Sequence, residues 1–80
     1  MLTLYVKTGC PYCAKVLAVA EELFIELNLK NVADEAIATE LITRGGKLQM
    51  PYLVDGDTAT EMYESDDIIT YLREKVGDKA

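Results

Sequence analysis

The first half of the chain combines a strand-like and a helix-like hydrophobic pattern. Residues 2–7 alternate between apolar and polar positions and are rich in β-branched and aromatic side chains, which predicts a strand. Apolar residues then recur at helical spacing from Pro11 to Phe24, and proline suits the first turn of a helix. A second extended segment follows over residues 26–32. Its predicted inward-facing residues are Leu27, Leu29 and Val32.

The second half predicts a helix, a hairpin and a final helix. Asp34 is a favoured capping residue, and the helix after it has a predicted buried stripe formed by Ile37, Leu41 and Ile42. Residues 51–54 and 60–63 predict two strands around a tight turn. Ser65 is predicted to cap the last helix. The apolar residues predicted to fill that helix are Ile68, Ile69, Tyr71, Leu72 and Val76.

The order of these elements, β-α-β-α-β-β-α, predicts the fold class. A β-α-β unit implies parallel strands with a right-handed crossover, whereas the later hairpin is antiparallel. We therefore expect an α/β fold with a four-stranded mixed sheet flanked by three helices, in a single domain over residues 1–80.

Composition and charge narrow the functional classes. The chain has 80 residues, half of them apolar, with 14 acidic against 8 basic residues and a net charge of −6. Nucleic-acid binding needs clustered basic residues, so we expect no nucleic-acid partner. No apolar run approaches the roughly 18 residues of a membrane helix, and residues 1–7 lack the features of a signal peptide. A soluble, cytoplasmic domain without a membrane partner is expected.

The segment from Cys10 to Cys13 carries the strongest chemical signal. The chain has no histidine and only these two cysteines, which excludes a Cys2His2 zinc site and a histidine base, so we expect no metal. The pair follows a predicted strand and opens a predicted helix. Unpaired N–H groups at a helix start stabilise a thiolate, and Lys7 adds a positive charge. Cys10 is the predicted nucleophile and Cys13 the resolving thiol. The alternative is that they are two structural core cysteines or half of a zinc site.

Two further segments have both a structural and a functional interpretation. Pro51 is either an ordinary first residue of a strand or a cis proline that places the Met50 backbone beside Cys10. The run from Glu64 to Asp67 is either a plain helix cap with acidic first-turn residues or a site for a zwitterion. Spacing alone leaves the first question open and favours the plain cap in the second.

Together, these segments resemble the glutaredoxin family over nearly the whole chain. The matching motifs are Lys7-Thr8-Gly9-Cys10-Pro11-Tyr12-Cys13, Gln49-Met50-Pro51 before a strand ending in Asp55, and Ser65-Asp66-Asp67. Cys-Pro-Tyr-Cys is the typical signature of dithiol glutaredoxins. The resemblance implies a thioredoxin-like fold, with glutathione as the reductant that acts as cosubstrate.

The resemblance also implies roles for individual residues. Lys7 would approach the glycine carboxylate of glutathione, Tyr12 would flank its sulfur, and the Met50 backbone, before a cis Pro51, would pair with its cysteinyl part. Ser65 and Asp66 would hold the γ-glutamyl end. The complete predicted glutathione site is Lys7, Tyr12, Gln49, Met50, Pro51, Glu64, Ser65 and Asp66.

One segment departs from the family pattern. Many glutaredoxins have Gly-Gly where this chain has Tyr63-Glu64, and Glu64-Ser65 is similar to the glutathione site in the N-terminal domain of glutathione transferases. This departure puts the orientation of the γ-glutamyl group in doubt. Those transferases carry a C-terminal helical domain, and the sequence ends at Ala80, so a glutaredoxin is the expectation.

The expected activity is reduction of protein disulfides and glutathione mixed disulfides by a monomeric enzyme. The expected partners are glutathione and disulfide-containing or glutathionylated proteins. Three alternatives remain: an iron–sulfur module with Cys10 and glutathione as ligands, a glutathione-binding scaffold without turnover, and a thioredoxin-like protein reduced by a flavoprotein reductase. Reduction with or without glutathione would distinguish the last of these.

Overall fold

The sheet has four strands in the order β2-β1-β3-β4, as a computed structural model of residues 1–77 describes it. β1 pairs with β2 in parallel, and the β1–β3 and β3–β4 pairs are antiparallel. This confirms the predicted mixed sheet and element order; residues 78–80 of the predicted domain lie outside the described part. The elements are β1 Leu2–Val6, α1 Pro11–Glu22, β2 Asn28–Asn31, α2 Glu35–Gly45, β3 Tyr52–Asp55, β4 Thr60–Met62 and α3 Ser65–Lys75.

Alternate residues of the central strands form two cores on opposite faces of the sheet. Leu4 of β1 is paired with Leu53 of β3, and both are fully buried in the larger core. This core includes Val16 of α1 and Ile68 and Leu72 of α3. The next register pair, Tyr5 with Tyr52, faces the smaller core, which it shares with Leu41 of α2. The period of two in β1 and β3 thus decides which helix each side chain meets.

Polar contacts join α2 to the sheet around the smaller core. The Tyr5 hydroxyl donates to Glu40, which also forms an ion pair with Lys30 at 2.7 Å. Burial and the neighbouring carboxylate together raise the pKa of Tyr5 to about 12. The Tyr52 hydroxyl donates to Glu61 in a similar way. These contacts satisfy the hydroxyls of two buried tyrosines, as a packed core requires.

Both ends of α2 follow local rules, whereas the end of α1 does not. The Asp34 side chain accepts a hydrogen bond from the N–H of Ala36 at 2.9 Å, which confirms the predicted cap of α2. Gly46 ends α2 in the left-handed conformation, with φ of 91°. Phe24, which the pattern placed inside the first helix, instead follows its end with φ of 57° and is 96% exposed. That prediction is wrong, because α1 already ends at Glu22.

Three other predicted buried residues are substantially exposed. Leu29 lies beside Leu4 in the sheet, but on the edge strand β2, where the flanking helices leave it half uncovered. Ile42 lies on the outer side of α2, whose fully buried residue is Leu41. Val76 follows the last residue of α3 as its C-cap. Within residues 1–77, no helix is long and apolar enough to cross a membrane.

Candidate functional site

Cys10 lies in the turn between β1 and α1, directly before the first residue of α1. It is the N-cap of the helix, with extended backbone dihedrals, and Pro11 is the first helical residue. The Cys10 sulfur accepts a hydrogen bond from the backbone N–H of Cys13 at 3.4 Å. Cys10 is partly exposed, whereas Cys13, one turn further along, is buried. The strand-to-helix junction therefore leaves Cys10 partly accessible to solvent and buries Cys13.

The pKa values of the two cysteine thiols are shifted in opposite directions. Partial burial opposes ionisation of Cys10, but hydrogen bonds from Cys13 and Tyr12 and the positive charge of Lys7 outweigh it, so its pKa lies below the ordinary thiol value. Burial, the hydrogen bond to Cys10 and the charge of Cys10 raise the pKa of Cys13 to about 11. Cys10 is consequently the more acidic thiol of the pair, and Cys13 donates a hydrogen bond to it.

The segment between α2 and β3 brings Gln49 and Met50 into the same region. The peptide bond between Met50 and Pro51 is cis, as the resemblance implied. Met50 is partly buried and packs against both cores of the sheet. The Gln49 side-chain amide donates to the carboxylate of Glu64 at 2.9 Å. This contact links the segment before β3 to the start of α3.

The start of α3 differs from the sequence prediction. Glu64, not Ser65, is the N-cap, and its side chain makes no capping hydrogen bond. Ser65 is the first helical residue and is buried. Glu64 has φ of 69° and ψ of 112°, a strained conformation for a residue with a side chain. Such strain is concentrated at functional sites, so the turn from β4 into α3 is a candidate ligand contact.

These segments enclose a cleft of about 320 Å³ next to the start of α1. Seven of the predicted glutathione residues line it, and the eighth, Lys7, does not. Lys15 also lines the cleft and forms an ion pair with Asp66 at 3.0 Å. The cleft residues are Tyr12, Lys15, Gln49, Met50, Pro51, Glu64, Ser65 and Asp66. Lys15 is not among the residues predicted from the sequence, although its position three residues after Tyr12 places both side chains on one face of the helix.

The remaining predicted residues lie beside the cleft. Cys10, Cys13 and Lys7 line a neighbouring groove, which Gly9 and Leu17 also contact. Lys7 and Met50 together line a further depression, and Met50 is thus shared with the cleft. Lys7 makes no ion pair with any of residues 1–77. Its charge is available both to the Cys10 thiolate and to an anionic ligand.

The arrangement suits a zwitterionic thiol ligand. The acidic thiol of Cys10 lies near the start of α1, and the N-terminus of α3 offers amides and the carboxylate of Asp66 to charged groups of opposite sign. Within the part of the chain that the structure describes, no group of three or more Cys, Asp or Glu side chains could hold a metal ion.

A family model matches almost the entire chain. Residues 4–80 match the model described as glutathione S-transferase, N-terminal domain. Among curated proteins, no sequence matches this chain. The family match extends across both cysteines and all the cleft residues.

Several solved structures have the same fold. A glutathione S-transferase from the Antarctic clam Laternula elliptica is 31% identical, with a TM-score of 0.81 over 96% of this chain and 36% of the other. Glutathione S-transferase 1-6 from Anopheles dirus species B is 30% identical, with a TM-score of 0.81 over 96% and 37%. Ure2p in complex with glutathione is 25% identical, with a TM-score of 0.78 over 99% and 34%. This chain spans little more than a third of those proteins.

These comparisons confirm the thioredoxin-like α/β fold and correct the family. The predicted membership of the glutaredoxin family is wrong, because the family model and the solved structures are of the glutathione S-transferase type. The predicted enzyme class, a glutathione-disulfide oxidoreductase, is wrong for the same reason, since the similar enzymes are transferases. The pair Glu64-Ser65, which already resembled a transferase site, was the signal for the correct family.

Proposed function

This chain belongs to the glutathione S-transferase family, and from that premise we propose that it binds glutathione with its sulfur beside Cys10. The observation that carries the proposal is the cleft in which Met50-Pro51 and Glu64-Ser65-Asp66 converge next to the start of α1. The cleft offers groups for the γ-glutamyl and cysteinyl parts of the tripeptide, and Lys7 in the neighbouring depression offers a positive charge for the glycine carboxylate.

The γ-glutamyl end of glutathione is assigned to the N-terminus of α3. Backbone N–H groups at a helix start bind a carboxylate, and the Asp66 carboxylate binds an ammonium group. Lys15 pairs with Asp66, whose side chain is 85% exposed. Because exposed ion pairs are worth about 0–1 kcal/mol, the ligand's ammonium group can replace Lys15 at little cost.

The cysteinyl and glycine parts are assigned to Met50 and Lys7. Met50 lines both the cleft and the depression that contains Lys7, so one extended ligand can pass from the first to the second. The ammonium group of Lys7, which forms no ion pair with residues 1–77, then meets the glycine carboxylate. This path brings the centre of the tripeptide past the Cys10 junction.

The proposed chemistry is transfer of a glutathionyl group through Cys10. The Cys10 thiolate attacks one sulfur of glutathione disulfide, forms a mixed disulfide with it, and releases the other glutathione as a thiolate. A thiol of the acceptor then attacks the sulfur of the bound glutathionyl group, takes that group as a new mixed disulfide and releases the Cys10 thiolate, so the two steps together transfer the group. The role of Cys13 as a resolving thiol stays a prediction. Reduction of protein disulfides forms no part of this proposal.

Binding is tested by NMR titration of the 80-residue chain with S-methylglutathione, whose blocked sulfur cannot react with Cys10. We expect chemical-shift changes at residues 49–51 and 64–66. Asp66→Asn should raise the Kd about five- to tenfold, because it removes a charge-assisted hydrogen bond. Asp57→Asn is the control, because that exposed carboxylate lies outside the cleft. Shift changes confined to other parts of the chain would overturn the proposed site.

Three finer expectations remain predictions. Glutathionylated proteins as partners, a monomeric state and a cytoplasmic location all follow from sequence reasoning alone. Size-exclusion chromatography with light scattering measures the oligomeric state directly. A dimer at micromolar concentration would contradict the predicted monomer.

A further inference from the structure

We propose that Tyr63 is a positioning residue, which holds the segment between α2 and β3 in the form that binds glutathione. The inference rests on the proposed glutathione site. Tyr63 follows β4 and precedes the strained Glu64, but it is not among the residues that line the cleft. Its contacts instead reach residues 45 and 47, on the far side of the segment that carries Gln49 and Met50.

The Tyr63 ring is held from two sides. It packs against the ring of Tyr52, and the two ring centroids are 4.4 Å apart. The ammonium group of Lys47 lies 4.8 Å from the centroid of the Tyr63 ring. Tyr52 is buried, and its hydroxyl is fixed by Glu61, which in turn forms an ion pair with Arg44 of α2 at 3.0 Å. The ring therefore has a rigid support in the smaller core.

The Tyr63 hydroxyl extends from this support to the neighbouring segment. It donates a hydrogen bond to the backbone carbonyl of Lys47 at 2.7 Å. The next residue, Glu64, accepts the hydrogen bond from Gln49. The consecutive residues Tyr63 and Glu64 thus form hydrogen bonds with residues 47 and 49, in the segment that leads to Met50. Residues 46–50 form no helix or strand, so few other hydrogen bonds hold this wall of the cleft.

Gly45 shows how closely the two parts approach each other. A Cβ atom at Gly45 would lie 2.2 Å from the Tyr63 hydroxyl oxygen and 2.9 Å from the ring carbon that carries it. Any larger residue at this last position of α2 would displace Tyr63. The absence of a side chain at Gly45 therefore permits the contact between the Tyr63 hydroxyl and the following segment.

The test compares Tyr63→Phe with Tyr71→Phe in the same 80-residue chain. Tyr63→Phe keeps the ring and removes the hydrogen bond to Lys47, so the Kd for S-methylglutathione should rise about three- to tenfold. The Tyr71 hydroxyl instead donates to Asp55, away from the cleft. Tyr71→Phe should lower the free energy of unfolding and leave the Kd within about twofold.

Two further measurements separate positioning from a general loss of stability. The pH profile of Cys10 alkylation by iodoacetamide should be the same in Tyr63→Phe and the wild type, because the hydroxyl does not contact the cysteines. Gly45→Ala, which displaces Tyr63, should also raise the Kd. An unchanged Kd in both Tyr63→Phe and Gly45→Ala, with binding by the wild type, would overturn the role of Tyr63. Absence of binding by the wild type would instead overturn the proposed function.

Discussion

At the scale of single residues, the reactivity of Cys10 depends on where its neighbours donate hydrogen bonds. Partial burial raises the pKa of Cys10, and the hydrogen bond from the Cys13 thiol is the largest of the effects that lower it. A helix start alone would provide only the backbone part of this stabilisation. The second cysteine of the motif thus acts on the first even while both are reduced.

This dependence predicts different effects for two substitutions of Cys13. Cys13→Ala removes the thiol donor, so the pKa of Cys10 should rise and its alkylation by iodoacetamide at pH 7 should slow about two- to fivefold. Cys13→Ser keeps a hydroxyl donor and should remain closer to the wild type. Because Cys13 is buried, alkylation in the wild type measures Cys10. Equal rates in all three proteins would show that the Cys13 thiol does not stabilise the thiolate.

At the scale of the elements, the end of α1 is a local conflict between sequence and conformation. The N–H of Phe24 donates to the carbonyl of Glu21, and that of Ile25 to the carbonyl of Ala20, which places Phe24 in the left-handed position. Glycine is preferred there, since a side chain costs about 1–2 kcal/mol in that conformation. The almost fully exposed Phe24 ring gains little burial in return.

Phe24→Gly should therefore stabilise the protein. The relief of strain exceeds the greater flexibility that glycine brings to the unfolded chain, so we expect a gain of about 0.5–1 kcal/mol in the free energy of unfolding. Phe24→Ala is the matched control, because it removes the ring and keeps the strain. Urea unfolding measures both. A loss of stability in Phe24→Gly with none in Phe24→Ala would contradict this explanation.

At the scale of the whole molecule, Asp55 joins the hairpin to the far end of α3. Its buried carboxylate accepts hydrogen bonds from the Tyr71 hydroxyl at 2.5 Å and the backbone N–H of Asp57 at 3.0 Å, and it pairs with Lys75 at 2.9 Å. The hydrogen bonds from Tyr71 and Lys75 hold the pKa of Asp55 well below its usual range. The charged form therefore contributes to the stability of the fold.

The sign of this pKa shift predicts how stability depends on pH. Because the folded-state pKa is depressed, the contribution is present above the unfolded pKa of about 3.9 and is lost as the pH falls below it, by about 1.4 kcal/mol per pH unit. Asp55→Asn should lower the free energy of unfolding at pH 7 by about 2 kcal/mol, and this difference should shrink at pH 3. Asp57→Asn, at an exposed carboxylate, should change little. A difference that is constant between pH 7 and pH 3 would contradict the assignment.

The sequence by itself determined the order of the elements, the place of Cys10 at the start of α1 and most of the residues that line the cleft. Hydrophobic periodicity distinguishes strands from helices because side chains repeat every two residues in a strand and about every 3.6 in a helix. The different acidities of Cys10 and Cys13 follow from their positions at a strand-to-helix junction. The predicted family is wrong because the short motif at Cys10-Cys13 is shared with glutaredoxins, whereas the distinguishing pair is Glu64-Ser65, whose conformation is not visible in a pattern.

Only the tertiary structure decided which side chains meet across the fold. The pairing of Lys15 with Asp66, and the support of the segment before Met50 by Tyr63, join residues that are distant in the chain. A local pattern records the period of a strand or helix, but it does not record which distant surfaces pack together. Burial at Leu29 failed as a prediction for the same reason, because an edge position exists only once the strands are ordered in a sheet.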